Sequence, residues 1–125
     1  MSDRFVGTWR LVPFVERGAD GREASTFGPD PLGLLMYDKG ARVSVQIARS
    51  DRTYGYFGYF GRYSVDERAG TVTHHVEGGS DPHFAGTEQR RLFIFNADRL
   101  VLSTPPERMG GSGVTYTAAW ERLPT

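Results

Sequence analysis

The stretch "GYFGRYSVDERAGTVTHHVEGG", residues 58 to 79, reads as two strands folded about one tight turn. Aromatic and β-branched residues alternate with small or polar ones on both sides of "ERAG", which has the residue types that a short hairpin loop requires. A four-residue loop there sets the register: Asp66 faces Thr71, Val65 faces Val72 and Tyr63 faces His74. Neighbours along a strand point to opposite faces, so Tyr63, Val65, Val72, His74 and Val76 share one face. His75 falls with Thr71, Thr73 and Glu77 on the polar face. His74 therefore points inward and His75 outward.

The same period of two runs through the chain, and sixteen glycines and seven prolines punctuate it, which argues for an all-β domain. Eight strands are expected, over residues 7–17, 33–37, 41–49, 57–66, 71–77, 86–95, 99–104 and 114–123. The connections "DKG", "ERAG" and "NAD" are tight turns, and the four between them are longer. Where consecutive strands run up and down, alternate connections lie at the same end, so the tight turns close one end and the long loops gather at the other. This predicts a single up-and-down antiparallel β-barrel of about eight strands, open at one end, with room for one small ligand. "GADGREASTFGPDPLG", residues 18 to 33, is expected to fold over the mouth as a compact lid, and "PPERMGGSG", residues 105 to 113, to lie at the mouth as a flexible loop. A short helical turn is a possibility around "SDRTYGYF", residues 50 to 57.

A chain of 125 residues is one domain by length. Fifteen basic and fifteen acidic residues cancel, which removes the field that gathers phosphates and argues against nucleic acid as a partner. Only Lys39 among the basic residues is lysine, a composition read here as a habit of the genome rather than as chemistry. Without cysteine there are no disulfides, thiolate metal sites or cysteine nucleophiles. "MSDRFVGTWRLV" lacks the apolar run of a signal peptide and no stretch approaches membrane-spanning length, so the expectation is a cytoplasmic protein with no membrane partner. A homodimer is compatible with the chain.

The "NAD" turn pairs Phe95 with Leu100, Phe93 with Leu102 and Arg91 with Thr104, which puts Gln89, Arg91, Phe93 and Phe95 on one face. Leu92 and Ile94 make the opposite face apolar too, so either face of this strand is open as the interior. If the first lines the cavity, an apolar chamber holds Tyr63, His74, Gln89 and Arg91 as its few polar groups, the usual make-up of a small-molecule site. The aromatic cluster at 54 to 63, Tyr59 included, is read as part cavity wall and part lid. His74 is a candidate general acid or base oriented by Tyr63, and equally a neutral interior histidine bonded to Tyr63 or water. Arg91 is a candidate partner for a carboxylate, enolate or carbonyl oxygen, and equally one half of a structural ion pair. His74 and His75 diverge too far to share an ion, and His75, His83 and Asp81 are short of the ligands zinc usually takes, so no metal is expected. No serine sits in a nucleophile elbow, and "GGSG" reads as a loop rather than a phosphate cradle.

Six stretches in order carry a resemblance: "GTWRLV" at 7–12, "FGPDPLGLLMYDKGARVSVQI" at 27–47, "GYFGRYSVD" at 58–66, "TVTHHVE" at 71–77, "GTEQRRLF" at 86–93 and "DRLVLST" at 98–104. The chain resembles the lipocalin-like domain family, small and mainly bacterial and fungal β-barrels related in shape to lipocalins and fatty-acid-binding proteins, the calycin group. The resemblance implies that Trp9 packs at the closed end beneath Arg122, that His74 and Arg91 are the characteristic polar positions, and that His75 is variable. Many relatives carry a longer, partly helical segment where this chain has only "SDRTYGYF".

Fold alone does not supply a role. The reading taken forward is binding of a small, largely apolar molecule in the cavity, with Tyr59, Tyr63, His74, Gln89, Arg91 and Phe93 as ligand-binding residues and no cofactor. The alternative is a cofactor-free cyclase or isomerase acting on a polyketide-like or terpenoid-like substrate, with His74 and Arg91 as catalytic residues. A third is a structural or interaction protein with a filled barrel.

Overall fold

A computed structural model describes residues 3–53, 55–105 and 115–124. Its strands are β1 (Gly7–Arg17), β2 (Glu23–Ala24), β3 (Leu32–Tyr37), β4 (Arg42–Ala48), β5 (Phe57–Asp66), β6 (Thr71–Gly79), β7 (Glu88–Asn96), β8 (Arg99–Ser103) and β9 (Thr115–Arg122). The order is β2-β1-β3-β4-β5-β6-β7-β8-β9, and β1 also pairs with β9. The long strands thus close into an eight-stranded antiparallel barrel in which chain neighbours are sheet neighbours, with β2 as an extra two-residue strand beside the end of β1. The registers read from the turns hold: Tyr63 pairs with His74, Val65 with Val72, Phe93 with Leu102 and Phe95 with Leu100.

Alternation decides which face is inside. Along β4, Val43, Val45 and Ile47 are buried and the residues between them are not. On β7, Leu92 and Ile94 are the exposed ones, while Phe93 and Phe95 pack against the core. Two irregularities bend the wall. In β1 the register to β9 shifts between Leu11 and Phe14, around Pro13, which has no N–H to give to the ladder. In β5 and β6 it shifts between Phe60 and Gly61, where a Cβ at position 61 would lie 2.0 Å from the His75 carbonyl oxygen, so only glycine permits that approach.

The tight-turn end is filled. The chain before β1 forms one 3-10 turn, Asp3–Phe5, and tucks the fully buried Phe5 ring beneath the barrel. Phe5 meets Tyr37, Phe93 and Phe95 edge to face at 5.3, 5.0 and 4.9 Å between ring centres. Trp9 Nε1 donates to the Phe5 carbonyl at 3.0 Å, and the Arg122 guanidinium lies 4.1 Å from the centre of the Trp9 ring. Arg122 also donates to the carbonyls of Val6 at 2.8 Å and Arg4 at 2.6 Å, tying the last strand to the segment before the first. The Trp9–Arg122 pair was expected. The Phe5 plug was not, because one phenylalanine in "SDRF" carries no periodic signal.

At the other end, residues 18–31 fold back over the mouth. β2 pairs with Glu16 and Arg17, and Phe27 packs edge to face on Phe14 at 5.0 Å. Arg49 pins this flap from the β4–β5 loop: its Nη1 donates to the Thr26 carbonyl at 3.4 Å, and Asp51 and Thr53 hold its other nitrogens. The described part of residues 50–57 leads through turns and bends into β5 without a helical turn. A 3-10 turn appears instead at Pro82–Phe84, capped by the Asp81 side chain on the His83 N–H. Most of "PPERMGGSG" lies outside the described residues. Among the described residues no helix is long and apolar enough to cross a membrane.

Two charge-assisted hydrogen bonds and a cation–π contact, partly open to solvent, give the Arg122 clasp about 2 kcal/mol. Arg122→Ala is expected to lower the free energy of unfolding in urea by about that amount, and Arg122→Lys to restore less than half of it, since an ammonium cannot reproduce the two-carbonyl fork. An unchanged midpoint in Arg122→Ala would mean that the barrel closes without the clasp.

Candidate functional site

Between the plugged end and the mouth lies a cavity of about 490 Å³. Phe14, Phe27, Phe57, Phe84, Tyr116 and Trp120 give it a largely aromatic wall, Leu35, Val45, Ile47, Leu102 and Ala118 complete the apolar part, and Thr26, Thr104, Tyr59, His74, Gln89 and Arg91 supply the polar groups. Phe84 reaches the wall because the Pro82–Phe84 turn holds it against Phe57 and Tyr59 at 5.3 and 5.6 Å. Both the size and the mixture of many apolar groups with few polar ones are those of small-molecule sites.

The polar floor is organised by His74, of which 2% is exposed. Its Nε2 lies 2.6 Å from the Tyr37 hydroxyl and its Nδ1 lies 2.6 Å from the Tyr59 hydroxyl. Burial, reinforced by the positive charge of Arg91 and then by His75, lowers its pKa to about 3, so the ring is neutral at physiological pH. Burial raises the Tyr59 pKa to about 12 and that of Tyr37 well above its ordinary value, so both phenols keep their protons.

A neutral imidazole has one N–H and one bare nitrogen, and the surroundings decide which is which. Among the described residues the Tyr37 hydroxyl has no hydrogen-bond partner except His74, and Tyr37 is not part of the cavity wall. Its proton must therefore go to Nε2. The opposite tautomer would leave the Tyr37 O–H buried without an acceptor, at about 1–3 kcal/mol. Nδ1 then carries the hydrogen and donates to Tyr59, whose own proton is free to be given into the cavity that Tyr59 lines.

A second polar chain runs beside the first. Gln89 Nε2 donates to Thr87 Oγ1 at 2.8 Å, and Thr87 Oγ1 donates to the Phe84 carbonyl at 2.6 Å. The Gln89 carbonyl faces two Arg91 nitrogens at 3.5 Å, and Arg91 Nη1 donates to the Arg90 carbonyl at 3.0 Å. Trp120 Nε1, on β9, is buried with no acceptor among the described residues.

The sequence pattern that defines the lipocalin-like domain matches residues 6–55 and 54–123. The chain belongs to the lipocalin-like domain family. No curated protein matches this lipocalin-like chain. Among solved structures it is similar to a de novo designed fluorescence-activating β-barrel, at 17% identity and a TM-score of 0.52, over 98% of this chain and 100% of the design. At that identity the likeness speaks for the barrel fold alone.

Of the residues singled out in the sequence, Tyr59, His74, Gln89 and Arg91 come together on the cavity wall of this lipocalin-like barrel. Tyr63 and Phe93 do not. Tyr63 faces inward but one layer deeper, donating to the Asp38 carbonyl at 3.2 Å and packing on Tyr37 at 4.6 Å, and Phe93 packs on the Phe5 plug. The expected Tyr63–His74 pairing is replaced by Tyr37 and Tyr59, because a phenol directly opposite His74 in the register is too near to turn its hydroxyl onto the ring, whereas ones displaced along or around the barrel reach it. Tyr37 was missed although Leu35, Tyr37, Val43 and Val45 alternate as one inward face. Phe84 was missed although Asp81 followed by Pro82 is a helix-start signal. His75 is outside, bonded to Ser64 and Glu88, and His83 bonds Asp81. Among the described residues no group of three or more potential ligands is placed to hold a metal.

His74 couples this site to pH. Between its native pKa of about 3 and its unfolded value near 6.5, the unfolded chain holds a proton on the ring that the native barrel does not. Stability is therefore fully present above pH ~6.5 and falls as pH drops toward 3, by about 1.4 kcal/mol per pH unit from this group. In urea unfolding between pH 7 and 4, His74→Gln should show a shallower decline than the unaltered protein by about that slope. Parallel declines would mean that His74 is not held neutral.

Proposed function

We propose that this protein binds a small, largely apolar molecule in the barrel cavity, with Tyr59, Gln89 and Arg91 addressing its polar end and His74 holding Tyr59 in place. The observation that carries the reading is a largely aromatic chamber of about 490 Å³ with few polar groups, of which Tyr59 and His74 are joined by one hydrogen bond and Gln89 and Arg91 by another. Burying an apolar body against such a wall stabilises the complex by about 25 cal/mol for each Å² removed from water, and the few polar groups fix its orientation. A filled barrel, the structural alternative, does not describe a molecule whose closed half is plugged and whose open half is hollow.

Binding is favoured over proton-transfer chemistry. In the cyclase or isomerase reading His74 would move a proton on the substrate, yet both its nitrogens are engaged by tyrosines, and burial and nearby positive charge hold it unprotonated. A histidine so placed positions Tyr59 rather than meeting the ligand itself.

The neutral fluorescent probe 6-propionyl-2-(dimethylamino)naphthalene tests the reading by titration. It should bind with saturable, blue-shifted emission, and Ala118→Trp, which puts an indole into the cavity from β9, should weaken it at least tenfold, about 1.4 kcal/mol. Equal affinity in the folded variant would place the probe outside the barrel.

A further inference from the structure

The cavity floor is unbalanced in hydrogen-bonding capacity. Tyr37 gives its proton to His74 Nε2, His74 gives its own from Nδ1 to Tyr59, and Tyr59 is left to donate into the cavity. Gln89 continues the bias, since its carbonyl faces Arg91 while its amide nitrogen, held on Thr87, keeps a second hydrogen. Arg91 has donors only, and the buried Trp120 N–H on β9 has no acceptor among the described residues. Among the described residues no carboxylate lines the cavity.

We propose that the cavity selects ligands whose one polar group is a hydrogen-bond acceptor, a carbonyl or carboxylate oxygen on an aromatic or conjugated apolar body, and that Tyr59 is the residue that reads it. This rests on the small-molecule reading above. The Tyr37–His74 pair acts as a one-way lock: because the Tyr37 hydroxyl has a single acceptor among the described residues, Tyr59 is set as a donor before any ligand arrives. An ammonium or other group that can only donate meets a floor of donors. The wall rings of Phe14, Phe27, Phe57 and Phe84 favour a flat body, since aromatic pairs gain from edge-to-face contact. Selection of this kind is steep, because a buried donor left without its acceptor opposes binding of the wrong analogue.

Three probes on one skeleton separate the two readings: 2-ethylnaphthalene, 2-acetylnaphthalene and 1-(2-naphthyl)ethylamine, each titrated against tryptophan fluorescence with calorimetry as the check. The ketone should bind at least tenfold more tightly than the hydrocarbon and the amine more weakly than either. Tyr59→Phe should cut the ketone's advantage over the hydrocarbon to less than threefold. The acceptor proposal is overturned, with the cavity reading intact, if the hydrocarbon binds but the ketone has no advantage, if the advantage survives in Tyr59→Phe, or if the amine is preferred. If none of the three binds the folded protein, the cavity reading falls and this proposal with it. Should Tyr59→Phe not fold, the order of the three probes on the unaltered protein decides alone.

Discussion

An imidazole sealed inside an apolar barrel must find a partner for each of its ring nitrogens, and the interior of this protein is arranged around meeting that demand for His74. A buried polar group left unpaired costs about 1–3 kcal/mol, a sizeable share of a small domain's net stability. Tyr37 reaches the ring from three strands away and Tyr59 from the neighbouring strand. The three groups form a polar layer across the barrel. Beneath it, Phe5, Tyr63, Phe93 and Phe95 pack solidly with Trp9, and above it the barrel is hollow. The boundary between structure and site is thus a hydrogen-bonded row rather than a change of fold.

The two halves use the same strands for different ends. At the closed end the chain spends an aromatic plug and a guanidinium clasp, Phe5 and Arg122, to fill the space where strands converge. At the open end the inward positions carry rings that stand around the wall and leave the centre empty, and the 18–31 flap adds Phe27 over the mouth, fastened by Arg49. Arg49 is in turn braced by Asp51, whose carboxyl is held well below the usual range by the hydrogen bond from Arg49 and those from Thr53. Exposed contacts of this sort contribute little to stability, but they define where the flap sits.

The fold was legible because the turn chemistry and the period of two agree. "ERAG" sets the pairing of Tyr63 with His74, and once that pairing is known the direction of each neighbour follows. The alternation of tight and long connections was enough to put the mouth and the closed end on opposite sides. The site was legible only in part. His74 was placed by register alone, whereas register put Gln89 and Arg91 on one face of their strand without deciding which face was inside, because Leu92 and Ile94, exposed in the barrel, make the other face apolar as well. Tyr63 and Phe93 were misplaced because register says which face a residue occupies and not how deep along the barrel the filling stops. That depth depends on Phe5, which belongs to no strand. Tyr37 was overlooked because its partner lies 37 residues away on a strand it does not pair with, a relation that closing the barrel creates.

The most direct measurement is the tautomer of His74, read from its ring nitrogens by long-range proton–nitrogen NMR on protein labelled at histidine and titrated from pH 7.5 to 5. The expected spectrum shows a neutral ring with hydrogen on Nδ1 and a bare Nε2, unchanged across that range while His75 and His83 are followed as surface references. Hydrogen on Nε2 instead, or a ring that becomes doubly protonated near pH 6, would contradict the donor assignment of Tyr59 and the ligand selection built on it.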